Sequence, residues 1–76
     1  MAKIIVPQLG EGITKATVSY WYFEKGDKVQ ETQDLVELTT DKATFNLPSP
    51  VSGEIKGIFY AEGQDVPIGG VLAEIE

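Results

Sequence analysis

The sequence has no cysteine, no histidine and no arginine among its 76 residues. Without cysteine it can form neither a disulfide nor a thiolate zinc site, and without histidine it lacks the usual general base and the imidazole metal ligand. All six basic residues are lysine, and twelve carboxylates bring the net charge to −6. A chain with no arginine and no basic stripe is not expected to bind nucleic acid. Any chemistry at this domain must therefore be supplied by another molecule.

Length and hydropathy indicate one small domain. A chain of 76 residues is too short for two independent cores and has little room for a deep substrate pocket, which argues against an enzyme in its own right. No stretch approaches the roughly 20 apolar residues of a membrane span, and the opening residues have no cleavage-type tail. We therefore expect a soluble, monomeric domain without a metal site. Its expected location is the cytoplasm, or the mitochondrial matrix after processing in a eukaryote.

Short apolar runs separated by glycine, proline and aspartate predict an all-β fold, with no sustained helical period. The predicted strands cover residues 4–6, 16–23, 35–38, 43–47, 54–60 and 71–75. Residues 29–38 are the weakest part of this assignment, and a helical turn is an alternative there. Gly26 and Gly63 are predicted to supply positive φ angles in turns, Gly53 is predicted to have an architectural role, and Trp21 is predicted to pack against the core.

The two halves of the chain resemble each other when the sequence is shifted by about 37 residues against itself. Apolar residues then fall on apolar residues, and the turn glycine falls on a turn glycine. The matched pairs are Val18 with Ile55, Tyr22 with Phe59, Gly26 with Gly63, Val29 with Val66, Leu35 with Leu72, Glu37 with Glu74 and Leu38 with Ile75. This repeat predicts two similar four-stranded units that face one another, so that each covers the apolar face of the other.

Four segments resemble the lipoyl domains of 2-oxo acid dehydrogenase complexes: residues 6–13 (VPQLGEGI), 24–29 (EKGDKV), 40–43 (TDKA), and 48–50 (PSP) with Gly53. The resemblance implies a flattened β-barrel or sandwich of two four-stranded antiparallel sheets with internal two-fold quasi-symmetry. Lys42 would then stand on a hairpin at one end, with both termini at the other. By the same resemblance Lys42 accepts lipoic acid, while Asp41 and Ala43 help the attaching enzyme, a lipoate ligase or an octanoyl transferase, to recognise the turn.

The resemblance also implies a set of partner enzymes. A thiamine-diphosphate 2-oxo acid decarboxylase, an acyltransferase catalytic domain and a dihydrolipoyl dehydrogenase would act in turn on the modified lysine. Residues 8–15 match a surface loop that helps the decarboxylase choose its carrier, which makes Gly10, Glu11 and Gly12 candidate recognition residues. Residues 1–76 are then interpreted as the N-terminal lipoyl carrier domain of a longer acyltransferase chain, with no catalytic residue of its own. Thr39 departs from the commoner pattern, in which an acidic residue stands at this position.

Other interpretations of Lys42 fit the sequence less well. Biotinyl domains also carry a modified lysine on a hairpin, but there the lysine lies between two methionines. Lys42 lies between Asp41 and Ala43. An unmodified interaction module of the same shape is disfavoured by the presence of a suitable lysine. A lone lysine in a polar turn is usually a solvated surface residue, and the carboxylate of Asp41 is expected to bind nearby backbone N–H groups as a turn former.

Overall fold

The computed structural model describes residues 2–76, which form eight β-strands in two four-stranded antiparallel sheets. The strands are β1 (Ala2–Ile5), β2 (Lys15–Trp21), β3 (Lys28–Val29), β4 (Asp34–Thr39), β5 (Thr44–Pro48), β6 (Gly53–Ile58), β7 (Asp65–Pro67) and β8 (Val71–Ile75). Their order is β1-β8-β6-β3 in one sheet and β5-β4-β2-β7 in the other. The predicted all-β fold is confirmed. Residues 2–76 include no helix with the length and hydropathy needed to cross a membrane.

The core between the sheets is aliphatic. On β2 the buried residues Ala16 and Val18 alternate with more exposed neighbours, as expected for a strand with one face against the core. The buried cluster consists of Ile4, Val6, Ala16, Val18, Val29, Leu35, Val36, Leu38, Ile55, Val66, Leu72, Ala73 and Ile75. Larger side chains, among them Trp21, lie at its margin, where the Trp21 indole N–H donates to the Tyr60 carbonyl at 2.8 Å. Short, branched side chains fill the narrow space between two sheets with few voids.

The internal repeat is present, but the division of the halves into two facing sheets is wrong. Each sheet takes two strands from each half: β1 and β3 join β6 and β8, while β2 and β4 join β5 and β7. The two-fold relation exchanges β1 with β5, β2 with β6, β3 with β7, and β4 with β8. The halves interleave because the short turn after β4 folds β5 back onto it, so pairing crosses the midpoint of the chain.

The alternative of a helical turn within residues 29–38 is also wrong, because β3 and β4 occupy its ends and a tight turn joins them. In this turn the Gln33 N–H donates to the Gln30 carbonyl at 3.1 Å. β3 and β7 were not predicted, because strands of two and three residues are too short to show alternation. Only the buried valines, Val29 and Val66, mark them. Gly26 and Gly63 have φ angles of 94° and 92°, as predicted.

β1 runs from the end of the molecule that holds the termini towards the end that holds Lys42. Ala2 pairs with Ile75, so the described chain begins and ends at the same place. From there β1 runs along the sheet and leads into the loop of residues 8–14, one carbonyl of which touches the Lys42 ammonium. The Lys42 turn therefore lies at the end opposite the termini, in a molecule that measures 32 × 20 × 17 Å.

Candidate functional site

Lys42 stands at the tip of the hairpin that joins β4 to β5. Thr39 and Thr44 are the last paired residues, and the Thr40 N–H donates to the Ala43 carbonyl at 2.8 Å. Only Asp41 and Lys42 remain beyond that bond. Both side chains, with that of Ala43, are exposed, so the lysine amine is accessible from solvent.

The hydroxyl of Thr40 organises this turn. Its Oγ1 accepts hydrogen bonds from the backbone N–H groups of Lys42 at 3.2 Å and Ala43 at 3.0 Å, and it donates to the Ala43 carbonyl at 2.9 Å. A threonine hydroxyl can act as donor and acceptor together, which fixes both sides of the tip.

The expectation that Asp41 forms the turn through its carboxylate is therefore wrong. In the structure of residues 2–76 the Asp41 carboxylate accepts none of the turn's hydrogen bonds. Thr40 Oγ1 is the acceptor for the backbone N–H groups of the turn. Sequence reasoning missed Thr40 as a structural determinant of the site. The available signal was a threonine immediately before a short polar tip, where hydroxyl-to-backbone turns are common.

The loop after β1 lies directly beside Lys42. The Lys42 ammonium donates to the backbone carbonyl of Glu11 at 3.2 Å, and a Cβ added to Gly12 would lie 3.9 Å from the same nitrogen. Gly12 has a φ of 80°, a conformation that glycine adopts without strain. The structure thus brings the candidate recognition residues Gly10, Glu11 and Gly12 to the attachment turn.

This loop is anchored at its base. Ile13 is buried, and its N–H donates to the Gly10 carbonyl at 3.2 Å. The Gln8 amide donates to the carbonyls of Gly10 and Ile13. Glu11 and Gly12 therefore project from a fixed support rather than from a free segment.

A half-open depression of about 370 Å³ separates the loop from the hairpin. Its walls include Thr14, Thr17, Thr39 and Thr40, so hydroxyl groups are prominent in the lining. No group of three His, Cys, Asp or Glu side chains that could hold a metal ion occurs in the described part of the chain.

Asp65 on β7 pairs with Thr17 on β2, which lines this depression. Thr17 Oγ1 donates to the Asp65 carboxylate at 2.7 Å, and the Lys15 ammonium lies 3.3 Å from it. The hydrogen bond from Thr17, followed by the hydrogen bond and positive charge of Lys15, lowers the pKa of Asp65 below its ordinary value of 3.8.

We expect the Thr17→Val substitution to raise the pKa of Asp65 towards 3.8, because valine preserves the strand but removes the first of these hydrogen bonds. With the folded pKa lowered, the carboxylate stabilises the fold fully above its unfolded pKa, and this stabilisation is lost as the pH falls through the folded pKa. An NMR titration of the Asp65 side-chain carboxyl carbon measures the shift. An unchanged midpoint in the variant would contradict the assigned cause.

Comparisons with known proteins show the family of this chain. The family model described as "Biotin-requiring enzyme" matches residues 2–75. The chain is 42% identical over 73 residues to the dihydrolipoyllysine-residue succinyltransferase component of the 2-oxoglutarate dehydrogenase complex of Rickettsia bellii, covering 96% of this chain and 18% of that protein. It is 44% identical over 72 residues to the acetyltransferase component of the pyruvate dehydrogenase complex of Mycobacterium tuberculosis, covering 95% and 13%.

A solved structure shows the same fold. The lipoyl domain of the 2-oxoglutarate dehydrogenase complex from Azotobacter vinelandii superimposes with a TM-score of 0.82 at 28% identity, covering 100% of this chain and 96% of that one. The chain therefore belongs to the family of biotinyl and lipoyl carrier domains. Within that family it is a lipoyl domain of the kind found in the acyltransferase components of 2-oxo acid dehydrogenase complexes. It spans less than a fifth of the length of these curated relatives, at 18% and 13%.

Proposed function

We propose that Lys42 is the residue to which lipoic acid is attached, through an amide bond to its side-chain nitrogen. The observation that carries this proposal is an exposed lysine at the tip of a hairpin, held by Thr40, in a domain that belongs to the lipoyl family. The amine fits the group because it is a primary amine with free access from solvent. When bound, the lipoyl group supplies a dithiolane that carries acyl groups and electrons.

The protein's own contribution is positioning. The hydrogen bonds of Thr40 keep the base of the arm fixed, and the Glu11 carbonyl accepts a hydrogen bond from the lysine nitrogen. Such tethering raises the effective concentration of the attached group at each partner enzyme without adding a catalytic residue. The chain has no cysteine, so no thiol of its own competes in disulfide exchange.

The proposed partners are those that the family's chemistry requires. They are a thiamine-diphosphate 2-oxo acid decarboxylase, an acyltransferase catalytic domain and a dihydrolipoyl dehydrogenase, with a lipoate ligase or octanoyl transferase to attach the group. Residues 1–76 would form a lipoyl domain of a longer acyltransferase chain in the cytoplasm or the mitochondrial matrix. The segment Gly10, Glu11 and Gly12 is proposed to contact the decarboxylase, since it borders the arm, exposes Glu11 and Gly12, and is supported by hydrogen bonds at its base. Asp41 and Ala43 flank Lys42 in the chain, and we propose that the attaching enzyme recognises them.

Mass spectrometry of the intact domain and of its peptides tests the attachment site. The purified domain is incubated with ATP and either lipoate and a lipoate ligase, or biotin and a biotin ligase. We expect a lipoyl adduct confined to Lys42 and no biotin adduct. A biotin adduct would favour carboxylase chemistry, and the absence of either adduct would favour an unmodified interaction module.

We expect Thr40→Val to slow lipoylation of Lys42 by roughly five- to tenfold, because water partly replaces the lost hydroxyl hydrogen bonds at this exposed tip and the net cost is on the order of 1 kcal/mol in total. Initial rates of lipoylation, measured by mass spectrometry, check this. Thr40→Ser keeps the hydroxyl and should restore most of the rate. Thr44→Val is the matched control, since Thr44 lies on the other side of the turn and takes no part in these bonds. Equal rates for both valine variants would show that Thr40 does not position the lysine.

A further inference from the structure

The outer face of the sheet that carries Lys42 holds an exposed aromatic pair. Tyr20 and Tyr22 are 51% and 42% exposed, and their rings meet edge to face with centroids 5.0 Å apart. The Tyr22 hydroxyl donates to the Asn46 side-chain carbonyl at 3.2 Å. Glu37 lies between Tyr20 on β2 and Asn46 on β5 in the register of the sheet. These four residues, Tyr20, Tyr22, Glu37 and Asn46, are called the Tyr20–Tyr22 patch below.

The two-fold relation shows that the fold does not require this patch. In the other sheet Gly57 pairs with Glu74 after the same kind of register shift that precedes the pairing of Tyr20 with Glu37. A glycine thus takes the place of Tyr20, and the equivalent of Tyr22 is Phe59. The same architecture forms without an aromatic pair at these positions.

The charges of the two faces differ as well. Glu74 stands opposite Lys3 in its sheet, whereas Glu37 stands opposite the neutral Asn46. A second carboxylate, that of Glu62, accepts a hydrogen bond from the backbone N–H of Trp21, between the two tyrosines, at 2.9 Å.

Neither Glu37 nor Glu62 takes part in the ion pairs found within residues 2–76, which join Lys15 to Asp65 and Lys56 to Glu54. Within residues 2–76 the patch therefore presents two aromatic rings beside Glu37, with Glu62 bound to the strand between them, and neither carboxylate forms an ion pair. Arginine suits such a surface, because its guanidinium stacks on aromatic rings and pairs with carboxylates.

The patch also lies close to the attachment turn. Glu37 on β4 precedes Thr40, the first residue after this strand, by three residues, which corresponds to roughly 10 Å at the usual rise of a strand. A protein seated on the patch would therefore be next to Lys42.

We propose that the Tyr20–Tyr22 patch is a docking surface for a basic, arginine-bearing surface of an enzyme that acts on the modified lysine. The inference rests on the proposed carrier function, since docking here serves to bring that enzyme to Lys42. The patch provides exposed tyrosines, which are enriched in protein interfaces, and a carboxylate whose charge complements a basic partner.

Kinetics with the lipoylated domain as the varied substrate test this inference. The decarboxylase, the acyltransferase domain and the dihydrolipoyl dehydrogenase of the same organism are assayed separately at low salt. For one of them we expect the double substitution Tyr20→Ala with Tyr22→Ala to raise KM about tenfold with kcat within about twofold, as for the loss of an interface anchor. Phe59→Ala, at the equivalent place on the other sheet, should leave KM within about twofold for all three.

A second pair of variants tests the charge. Glu37→Gln should raise KM for the same enzyme and flatten its dependence on salt, whereas the equivalent Glu74→Gln should not. Thermal unfolding of each variant shows whether the fold is retained.

These experiments give different outcomes if the docking surface is wrong and if the carrier function of Lys42 is wrong. If the unaltered domain is not lipoylated on Lys42, the carrier function fails. If it is lipoylated and acted on normally, but no KM changes in the tyrosine variant, only the docking surface is refuted. If the tyrosine variant is instead lipoylated more slowly by the ligase, with all three KM values unchanged, the patch serves the attaching enzyme and the inference is also overturned.

Discussion

Replacing Lys42 with alanine is expected to abolish lipoylation while leaving the two sheets folded. The side chain is exposed, and its ammonium donates to the Glu11 carbonyl in the structure. Surface substitutions of this kind change the free energy of unfolding by less than about 0.5 kcal/mol. The effect on function is total, because the amide bond needs the amine that alanine lacks. Mass spectrometry after incubation with the ligase, and thermal unfolding of the same sample, measure the two results.

Two further variants sharpen this experiment. Lys42→Arg keeps the positive charge but offers no amine that forms the amide, so it should also remain unmodified. Lys25→Ala removes an exposed lysine from another tight turn and should be lipoylated at the normal rate. If the Lys42→Ala domain still gained a lipoyl group, or if it unfolded, the assignment of Lys42 would be refuted.

Replacing Gly53 with alanine is expected to destabilise the domain by about 2–3 kcal/mol, as overpacking of a tight site does. A Cβ at Gly53 would lie 2.7 Å from the Glu76 carbonyl oxygen and 2.8 Å from Cγ2 of Ile75. The neighbouring backbone cannot withdraw easily, because Glu54 and Glu76 exchange two hydrogen bonds of 2.9 and 3.0 Å. A domain of this length has a total stability of only about 4–11 kcal/mol, so the loss is a large part of it.

Urea denaturation measures this effect, with Gly57→Ala as the matched control on the same strand. At Gly57 the nearest atom is the ring edge of the exposed Phe59, 3.3 Å away, which can rotate to make room. The control should therefore unfold near the midpoint of the unaltered domain. Similar midpoints for the two alanine variants would show that the close approach at Gly53 does not constrain the fold.

The longer strands could be predicted because their residues alternate or are rich in β-branched and aromatic side chains. β2, with its run of such residues, and β8 were found at or near their observed bounds. β3 and β7 could not be predicted, since two or three residues are too few to show the alternation of apolar and polar side chains. The repeat at a shift of 37 residues was visible, but it was compatible with two ways of distributing eight strands between two sheets. Long-range pairing decided between them, since β4 pairs with β5 and β8 with β1.

The sequence by itself determined the family of this protein, its all-β class and the candidate lysine, because these depend on residues that lie close together along the chain. Residues 40–43 and the turn glycines are local patterns of this kind. The tertiary structure alone decided that Thr40, rather than Asp41, holds the tip, and that the Glu11 carbonyl meets Lys42 across 31 residues. It also decided that Tyr20, Glu37 and Asn46 share one face. Such contacts depend on strand register and on the packing of both sheets, and a shift of one residue would turn each of these side chains to the opposite face.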